Sequence, residues 1–168
     1  MLVFSEPQLK DCVWISKCVK ESGYMGSDAS FANIYLLKSK YNTKVSFYKD
    51  FLIRYYEGYG SRHGYTFPLG HGKTDKALEA IRQDALENNR KLEFCFVTEE
   101  QKEVIDSVYG NILEYKKDDG DSDYIYGQQE LAALSGRAYQ QKKNHLSKFK
   151  RTYNYIRYSE IGAGNIED

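Results

Sequence analysis

SDYIYGQQELAALSGRAYQQKKNHLSKFKR, residues 122–151, contains three consecutive segments with different local preferences. Tyr124, Ile125 and Tyr126 predict a short strand, and the QQELAAL segment that follows has the composition of a helix. Gly136 fits the position just past the end of that helix, where a left-handed residue is favoured. Residues 137–151 contain no Asp or Glu. The stretch therefore predicts a strand, a helix and then a basic helix at about residues 137–152.

The basic helix is amphipathic when it is drawn at about 100° per residue. Lys142 lies within its apolar side, so the ammonium group either extends past the apolar surface to water or meets an anion. Two interpretations stay open: a solvated lysine surface, which the charge by itself favours, or a helix that binds phosphate, RNA or a lipid headgroup. The apolar side carries Tyr139, Leu146, Phe149 and Tyr153, and the opposite side carries Arg137, Asn144, Lys148 and Arg151.

Three motifs support a resemblance that covers nearly the whole chain. DYIYGQQELAALSGRAYQQKKNHLSKF (residues 123–149), SDASFANIYLLKSKYN (27–42) and TFPLGHG (66–72) resemble the uncharacterised bacterial proteins related to the C-terminal domain of phosphatidylglycerol lysyltransferase. The similarity runs from residue 1 to about residue 158. It implies an α/β (α+β) fold of the GNAT acyltransferase type, with a mixed central sheet and helices on both faces.

Members of this family are built from two GNAT-type folds in tandem, and this chain resembles the first, N-terminal one. We therefore expect one GNAT-like domain over residues 1–158 that includes the basic helix. Residues 159–168 would be a frayed tail or the start of a second half. The expected partner is a second GNAT-like fold, either on the same natural chain or in a homodimer.

The resemblance implies a transferase that moves an aminoacyl group from a charged tRNA to a lipid hydroxyl or to an amine. In the tandem proteins the segment between the two folds is basic, and residues 137–151 stand at that position here. The resemblance thus assigns contacts with tRNA phosphate, or with an anionic lipid headgroup at a membrane surface, to Lys142, Lys143, His145, Lys148, Lys150 and Arg151. It transfers no catalytic residue to this half. The alternative is a non-catalytic binding or structural half that completes a site with a second fold, so whether the chain is an enzyme stays open.

A glycine loop precedes a helix predicted at residues 75–89. Gly70, His71, Gly72 and Lys73 form a junction whose backbone N–H groups and helix dipole favour an anion. In the acyltransferase fold this junction binds the pyrophosphate of coenzyme A, and Gln or Arg stands three residues before the first glycine. Phe67 occupies that position in this chain. We therefore expect a degenerate phosphate loop, no coenzyme A and no other cofactor, which disfavours a stand-alone acetyltransferase.

Composition and charge argue against several other classes of protein. The 168 residues suit one domain, and a net charge of zero argues against general attraction to nucleic acid. The charges are separated, because residues 99–123 are mostly acidic and residues 137–157 are wholly basic. Three cysteines without CxxC spacing predict neither a disulfide nor a zinc site, and no metal is expected. Without a signal peptide or a long apolar run, we expect a cytoplasmic protein whose membrane contact is at most peripheral.

The remaining elements are predicted from periodicity and capping signals. A strand is predicted at residues 2–4. The helix that follows starts in a capping box at residues 5–8 and ends at Ser22-Gly23, and its apolar residues Leu9, Cys12 and Val13 are expected to face the core. A second helix, capped by Ser27 or Asp28, extends to about residue 40. A hairpin at residues 45–48 and 51–56, a strand at 65–69, a central strand at 92–97 and a helix at 99–109 follow. Further strands are predicted at residues 112–115 and 155–158.

Overall fold

The computed structural model describes residues 1–58, 62–153, 155 and 157–165. It divides into two compact units, Met1–Asp123 and Tyr124–Asp168. Whether residues 1–158 form one domain stays a prediction. Within the described residues, no helix is long and apolar enough to cross a membrane.

The first unit contains five helices and five strands within its described residues. The helices are α1 (Cys12–Ser22), α2 (Phe31–Leu36), α3 (Lys38–Tyr41), α4 (Thr74–Glu87) and α5 (Glu99–Tyr109), and the strands are β1 (Thr43–Tyr48), β2 (Phe51–Glu57), β3 (His63–Thr66), β4 (Leu69–Gly70) and β5 (Phe94–Cys95). The second unit contains α6 (Gln128–Ala133) and α7 (Gln140–Thr152), with a 3-10 turn at Arg137–Tyr139 before α7.

The five strands form one mixed sheet. Strand β2 pairs antiparallel with β1, β3 and β4, and β5 pairs parallel with β3. The turn residues Lys49 and Asp50 have positive φ angles of 46° and 68°, as a two-residue hairpin turn between twisted strands requires. The pairing of β1 with β2 confirms the predicted hairpin, and the pairing of β5 with β3 confirms the predicted parallel strand after α4.

Helices cover both faces of this sheet, because the side chains of β2 alternate between two apolar clusters. Ile53 and Tyr55 pack in one cluster with buried residues of α4 and α5, and Leu52 packs in the other with Ile15 and Ile34. The predicted inward side of α4 (Ala77, Leu78, Ile81 and Ala85) is buried as expected. The α+β class with a mixed sheet between helices is thus confirmed, whereas the GNAT assignment stays a prediction.

The N-terminal predictions are wrong in detail. Residues 2–4 form no strand, although all are described, and only Ser5 makes a bridge, to Val45. The backbone N–H of Gln8 donates to the Asp11 carboxylate at 2.7 Å, so the helical start lies after the predicted capping box. That shift rotates the helix: the predicted core residues Leu9, Cys12 and Val13 are exposed, and Ile15 and Cys18 are buried instead.

The second predicted helix is broken into α2 and α3 at Leu37. Its cap is Ser30, whose hydroxyl accepts from the Asn33 N–H at 3.3 Å, and neither Ser27 nor Asp28 fills that position. The Asn33 amide donates to the Ser27 carbonyl at 2.7 Å. This polar side chain therefore stabilises the loop before the helix.

Several predicted strands are shorter or absent. Strand β5 covers two residues at one edge of the sheet, because Phe96 has a φ of 56° and leaves the extended path. Residues 112–115 and 124–126, all of them described, are coil. Helix α6 ends at Leu134, which is left-handed, two residues before Gly136. Residue 156 of the strand predicted at 155–158, and residues 166–168 of the predicted frayed tail, lie outside the described residues.

Candidate functional site

The basic helix is formed as predicted, and its six candidate contact side chains are exposed. Lys142, Lys143, His145, Lys148, Lys150 and Arg151 all lie on α7, and none of the six is buried. In the described part of the chain, no ion pair within 4.0 Å involves any of them. Helix α7 therefore presents positive charge that no carboxylate of the described residues compensates, which suits phosphate or another anion.

Lys142, which the helical projection placed among apolar residues, contacts an aromatic ring. Its ammonium lies 4.7 Å from the centroid of Tyr126, a favourable cation–π distance. The Tyr126 side chain raises the pKa of Lys142 above its ordinary value. Tyr124 and Tyr126 are nearly parallel at 14°, with their centroids 6.4 Å apart, and Tyr124 is 87% exposed. Lys142 and two exposed tyrosine rings thus lie together in this unit, and basic groups with exposed aromatic rings bind single-stranded nucleic acid in other proteins.

The apolar side of α7 is also exposed. Leu146, Phe149 and Tyr153 are between 42% and 56% exposed, and none of the residues Gln140–Thr152 is buried. Phe149 and Tyr153 contact each other at 4.9 Å between ring centroids. The amphipathic pattern is therefore real, but the described residues of the unit Tyr124–Asp168 supply no core for it.

The glycine loop between β4 and α4 is explained by packing. Gly70 pairs with Phe51 in the sheet, and a Cβ atom at Gly70 would lie 2.1 Å from the Asp50 carbonyl oxygen. A Cβ atom at Gly72 would lie 3.3 Å from the Phe51 ring. His71 and Lys73 are exposed, and the Lys73 side chain does not cap α4. Gly70 is thus required by the hairpin turn beside it, and a side chain at Gly72 would crowd the Phe51 ring. Whether the loop binds phosphate or coenzyme A stays a prediction.

A buried polar cluster lies on the sheet face that α1 and α2 cover, and the sequence reasoning missed it. Arg54 is 1% exposed in the middle of β2. Its Nη1 donates to the Asp28 carboxylate at 2.7 Å, to the Asp28 carbonyl at 2.9 Å and to the Tyr56 hydroxyl at 3.1 Å. Tyr24 donates to the other Asp28 oxygen at 2.9 Å. The available signal was a charged residue inside the apolar run FLIRYY.

The electrostatics of the cluster keep this ion pair charged. Burial disfavours the charge of Arg54, but Tyr56 and Asp28 more than offset it, so the pKa of Arg54 is raised. Burial and the Asp28 charge raise the pKa of Tyr24, which therefore stays a neutral donor. The adjoining Ser27 donates its N–H and hydroxyl to the Asp123 carboxylate at 2.6 and 3.0 Å. The SDASFAN motif thus holds the chain against the sheet through Arg54.

Comparison with known proteins places the chain in a family. The family model for "Phosphatidylglycerol lysyltransferase, C-terminal" matches residues 20–168. The chain belongs to this family. Both the basic helix α7 and the SDASFAN motif lie within the matched residues of this lysyltransferase-family chain.

A solved structure has the same fold. It is a crystal structure of a conserved protein of unknown function from Bacteroides thetaiotaomicron VPI-5482, with a TM-score of 0.84 and 27% sequence identity. The match covers 99% of the lysyltransferase-family chain and 56% of the Bacteroides protein. The chain therefore spans little more than half the length of that relative. Among curated proteins, none matches the chain.

A second polar network connects α4 to the other face of the sheet in this lysyltransferase-family chain. Tyr65 donates to the buried Asp84 carboxylate at 2.6 Å, and Arg90 donates to the same oxygen at 2.8 Å. The Arg90 guanidinium lies 4.5 Å from the centroid of Tyr55. A surface pocket adjoins the network and is lined by Met1, Leu2, Phe4, Asp84, Glu87, Asn88 and Arg90. These contacts connect α4, the segment that follows it and strands β2 and β3, so the network has a structural role.

The described residues offer no obvious set of metal-ligating side chains. No three His, Cys, Asp or Glu side chains cluster suitably within the described residues, and the three cysteines are free thiols. Burial raises the pKa of the Cys95 thiol to about 12, so this thiol is unreactive in the folded chain. That the protein needs no metal stays a prediction.

Proposed function

We propose that this chain is part of a GNAT-fold aminoacyl or acyl transferase that uses aminoacyl-tRNA as donor and a lipid or an amine as acceptor. Membership of the phosphatidylglycerol lysyltransferase C-terminal family, over residues 20–168, is the observation that carries the proposal. The chain spans 56% of its Bacteroides relative, so the activity is proposed for the chain together with a second fold.

The proposed role of α7 is to hold the polyanionic substrate. Its lysines and Arg151 are exposed and unpaired within the described residues, and each can contact a tRNA phosphate or the phosphate of an anionic lipid headgroup. Contacts of this kind release counterions, so binding should weaken steeply as salt rises. Binding at a membrane surface would also be peripheral and salt-sensitive.

The chemistry in this proposal is acyl transfer. The acceptor oxygen or nitrogen attacks the ester carbonyl of the aminoacyl-tRNA, the new ester or amide bond forms, and the bond to the terminal ribose breaks. The proton leaves the acceptor and the ribose hydroxyl gains one. Such a reaction depends on placing the two substrates and on stabilising the oxyanion, and no residue of this chain is assigned to either step.

A second candidate is a non-catalytic binding or structural half. It is favoured by the exposed apolar side of α7, which would pack against a second GNAT-like fold on the same natural chain or in a homodimer. Light scattering of the purified chain tests the homodimer. A monomer at high concentration would contradict it.

The first experiment measures binding. Fluorescence anisotropy with labelled tRNA, and flotation with vesicles containing phosphatidylglycerol, are compared for the wild type and a Lys142→Glu/Lys143→Glu/Lys148→Glu variant. A matched control, Lys10→Glu/Lys17→Glu/Lys20→Glu, makes the same charge change on exposed lysines around α1. We expect salt-sensitive binding to be lost only in the α7 variant, with thermal stability nearly unchanged. Equal losses in both variants would indicate net charge instead of a site.

The second experiment separates catalysis from binding. The protein is incubated with radiolabelled aminoacyl-tRNA and phosphatidylglycerol vesicles, and the lipid extract is analysed for label. Labelled lipid supports the transferase. When the second fold is also present in the assay, tRNA binding without transfer favours the non-catalytic half. Calorimetry with coenzyme A tests the glycine loop: micromolar binding that a His71→Glu/Lys73→Glu variant removes would support the acetyltransferase, because both side chains are exposed.

A further inference from the structure

Arg54 and Thr66 are neighbours on the sheet face that α1 and α2 cover. Strands β2 and β3 pair Tyr55 with Tyr65, and the next residues along the two strands are Arg54 and Thr66. On the same face, Val45 lies opposite Arg54 and Cys95 lies beside Thr66. Four side chains from four strand segments thus form one buried row across the sheet.

The backbone beside this row contains a β-bulge. From Tyr55 to Leu52 the chain of β2 advances three residues, whereas its partners Tyr65 and Leu69 are four residues apart. The extra residue lies between Tyr65 and Leu69, and this segment contains Pro68, which has no N–H to donate. A bulge at this point opens the strand pairing next to Arg54.

Two polar atoms in the row have no protein partner. Arg54 Nε and Thr66 Oγ1 are both buried and accept or donate no hydrogen bond within the described residues. Leaving such an atom unbonded costs about 1–3 kcal/mol, so two of them on neighbouring strands indicate that a further group bonds them. Tyr56, which accepts from Arg54 Nη1 at 3.1 Å, keeps its own hydroxyl proton as a third polar group nearby.

The charge of the cluster decides the class of ligand. Asp28 already compensates Arg54 at 2.7 Å, so no net positive charge is left for a phosphate or a carboxylate. The ligand must accept the Arg54 Nε–H and must also bond a hydroxyl. A neutral oxygen meets both requirements, and a small buried site with two to four polar partners suits water.

We infer that the β-bulge holds one ordered water molecule, which accepts a hydrogen bond from Arg54 Nε and bonds the Thr66 hydroxyl beneath the Asp28 loop. The water completes the hydrogen bonding of the buried ion pair and joins β2 to β3 where their ladder is interrupted. This inference is independent of the proposed transferase activity, because it concerns the unit Met1–Asp123 and requires neither tRNA nor lipid.

Thr66→Val tests the inference through the sign of its effect on stability. Valine has nearly the shape of threonine but no hydroxyl. If Thr66 bonds a water, the variant leaves that water short of a partner, and Tm should fall by about 2–6 °C. If the hydroxyl is unbonded, its removal relieves a desolvation cost, and an unchanged or raised Tm would overturn the inference.

A crystal structure of the wild-type chain at about 1.6 Å provides the second measurement and does not depend on the variant folding. We expect a spherical density peak about 2.7–3.2 Å from both Arg54 Nε and Thr66 Oγ1. Direct bonds from these two atoms to protein oxygens, or an empty site, would refute the water. Thr66→Ser keeps the hydroxyl, and its crystal structure should retain the same peak.

Discussion

Asp28→Asn removes the negative charge that compensates Arg54 while it keeps the size of the side chain. In the wild type, one carboxylate oxygen accepts from Arg54 at 2.7 Å and the other accepts from Tyr24 at 2.9 Å. The Arg54 side chain is 2% exposed, so water cannot replace the lost charge. Removing one partner of a buried ion pair costs about 3–5 kcal/mol. We expect the lower end, about 3 kcal/mol, because the Asp28 carbonyl and Tyr56 still accept from Arg54.

The assay is urea and thermal unfolding of the purified chain, followed by circular dichroism. For a chain of this length, about 3 kcal/mol corresponds to a Tm lower by about 6–12 °C. Glu21→Gln is the matched control, because it makes the same change in the exposed pair with Lys17 and should cost less than about 1 kcal/mol. Arg54→Met combined with Asp28→Asn should cost less than the sum of the single changes. An Asp28→Asn loss no larger than that of the control would refute the buried-pair reasoning.

Three further predictions concern the core. Gly70→Ala should lower Tm by several degrees in a thermal melt, because the new Cβ would collide with the Asp50 carbonyl; an unchanged melt would contradict the packing. At pH 8 a thiol reagent should modify Cys12 rapidly, and the buried Cys95, whose pKa is raised to about 12, only after denaturant is added; rapid modification of more than one thiol would argue otherwise. Burial raises the pKa of Tyr65 and Tyr109, so these phenols stay neutral in the folded chain but ionise above pH about 10 when unfolded. Stability is therefore complete below that pH and should fall as pH rises above it, as urea midpoints between pH 8 and 11 would register; a constant midpoint would count against the burial.

Elements with strong local signals were predicted well. Helix α5 has the predicted bounds because a Thr98–Gln101 capping box begins it and the left-handed Gly110 follows it. The turn at Lys49 and Asp50 set the hairpin in the same way. The prediction failed where two local signals competed. Gln8 and Asp11 form the hydrogen bond at the helix start instead of the predicted capping box at residues 5–8, so the buried side of α1 was assigned to the wrong residues.

The buried polar residues were not predicted, because their partners are distant in sequence. Arg54 and Asp28 are 26 residues apart, and Tyr65 and Asp84 are 19 apart. No periodicity links such positions, and a charged residue in an apolar run looks like an interruption until its partner is in place. The candidate contact residues on α7 were proposed from the sequence, because a segment that contains Lys and Arg but no Asp or Glu can be recognised without knowing the fold.

The hairpin, the helices α4 and α5 and the basic amphipathic helix α7 could be predicted from the amino-acid sequence, because each depends on residues close together in the chain. The order of these elements then gave the α+β class. The sequence also carried the motifs of the phosphatidylglycerol lysyltransferase C-terminal family. The burial of Arg54 and its ion pair with Asp28, the need for glycine at position 70 and the interruption of the ladder between β2 and β3 became visible in the folded chain alone. Those properties depend on which chain segments meet across the sheet, because side chains become buried and gain distant hydrogen-bond partners only when these segments pack together.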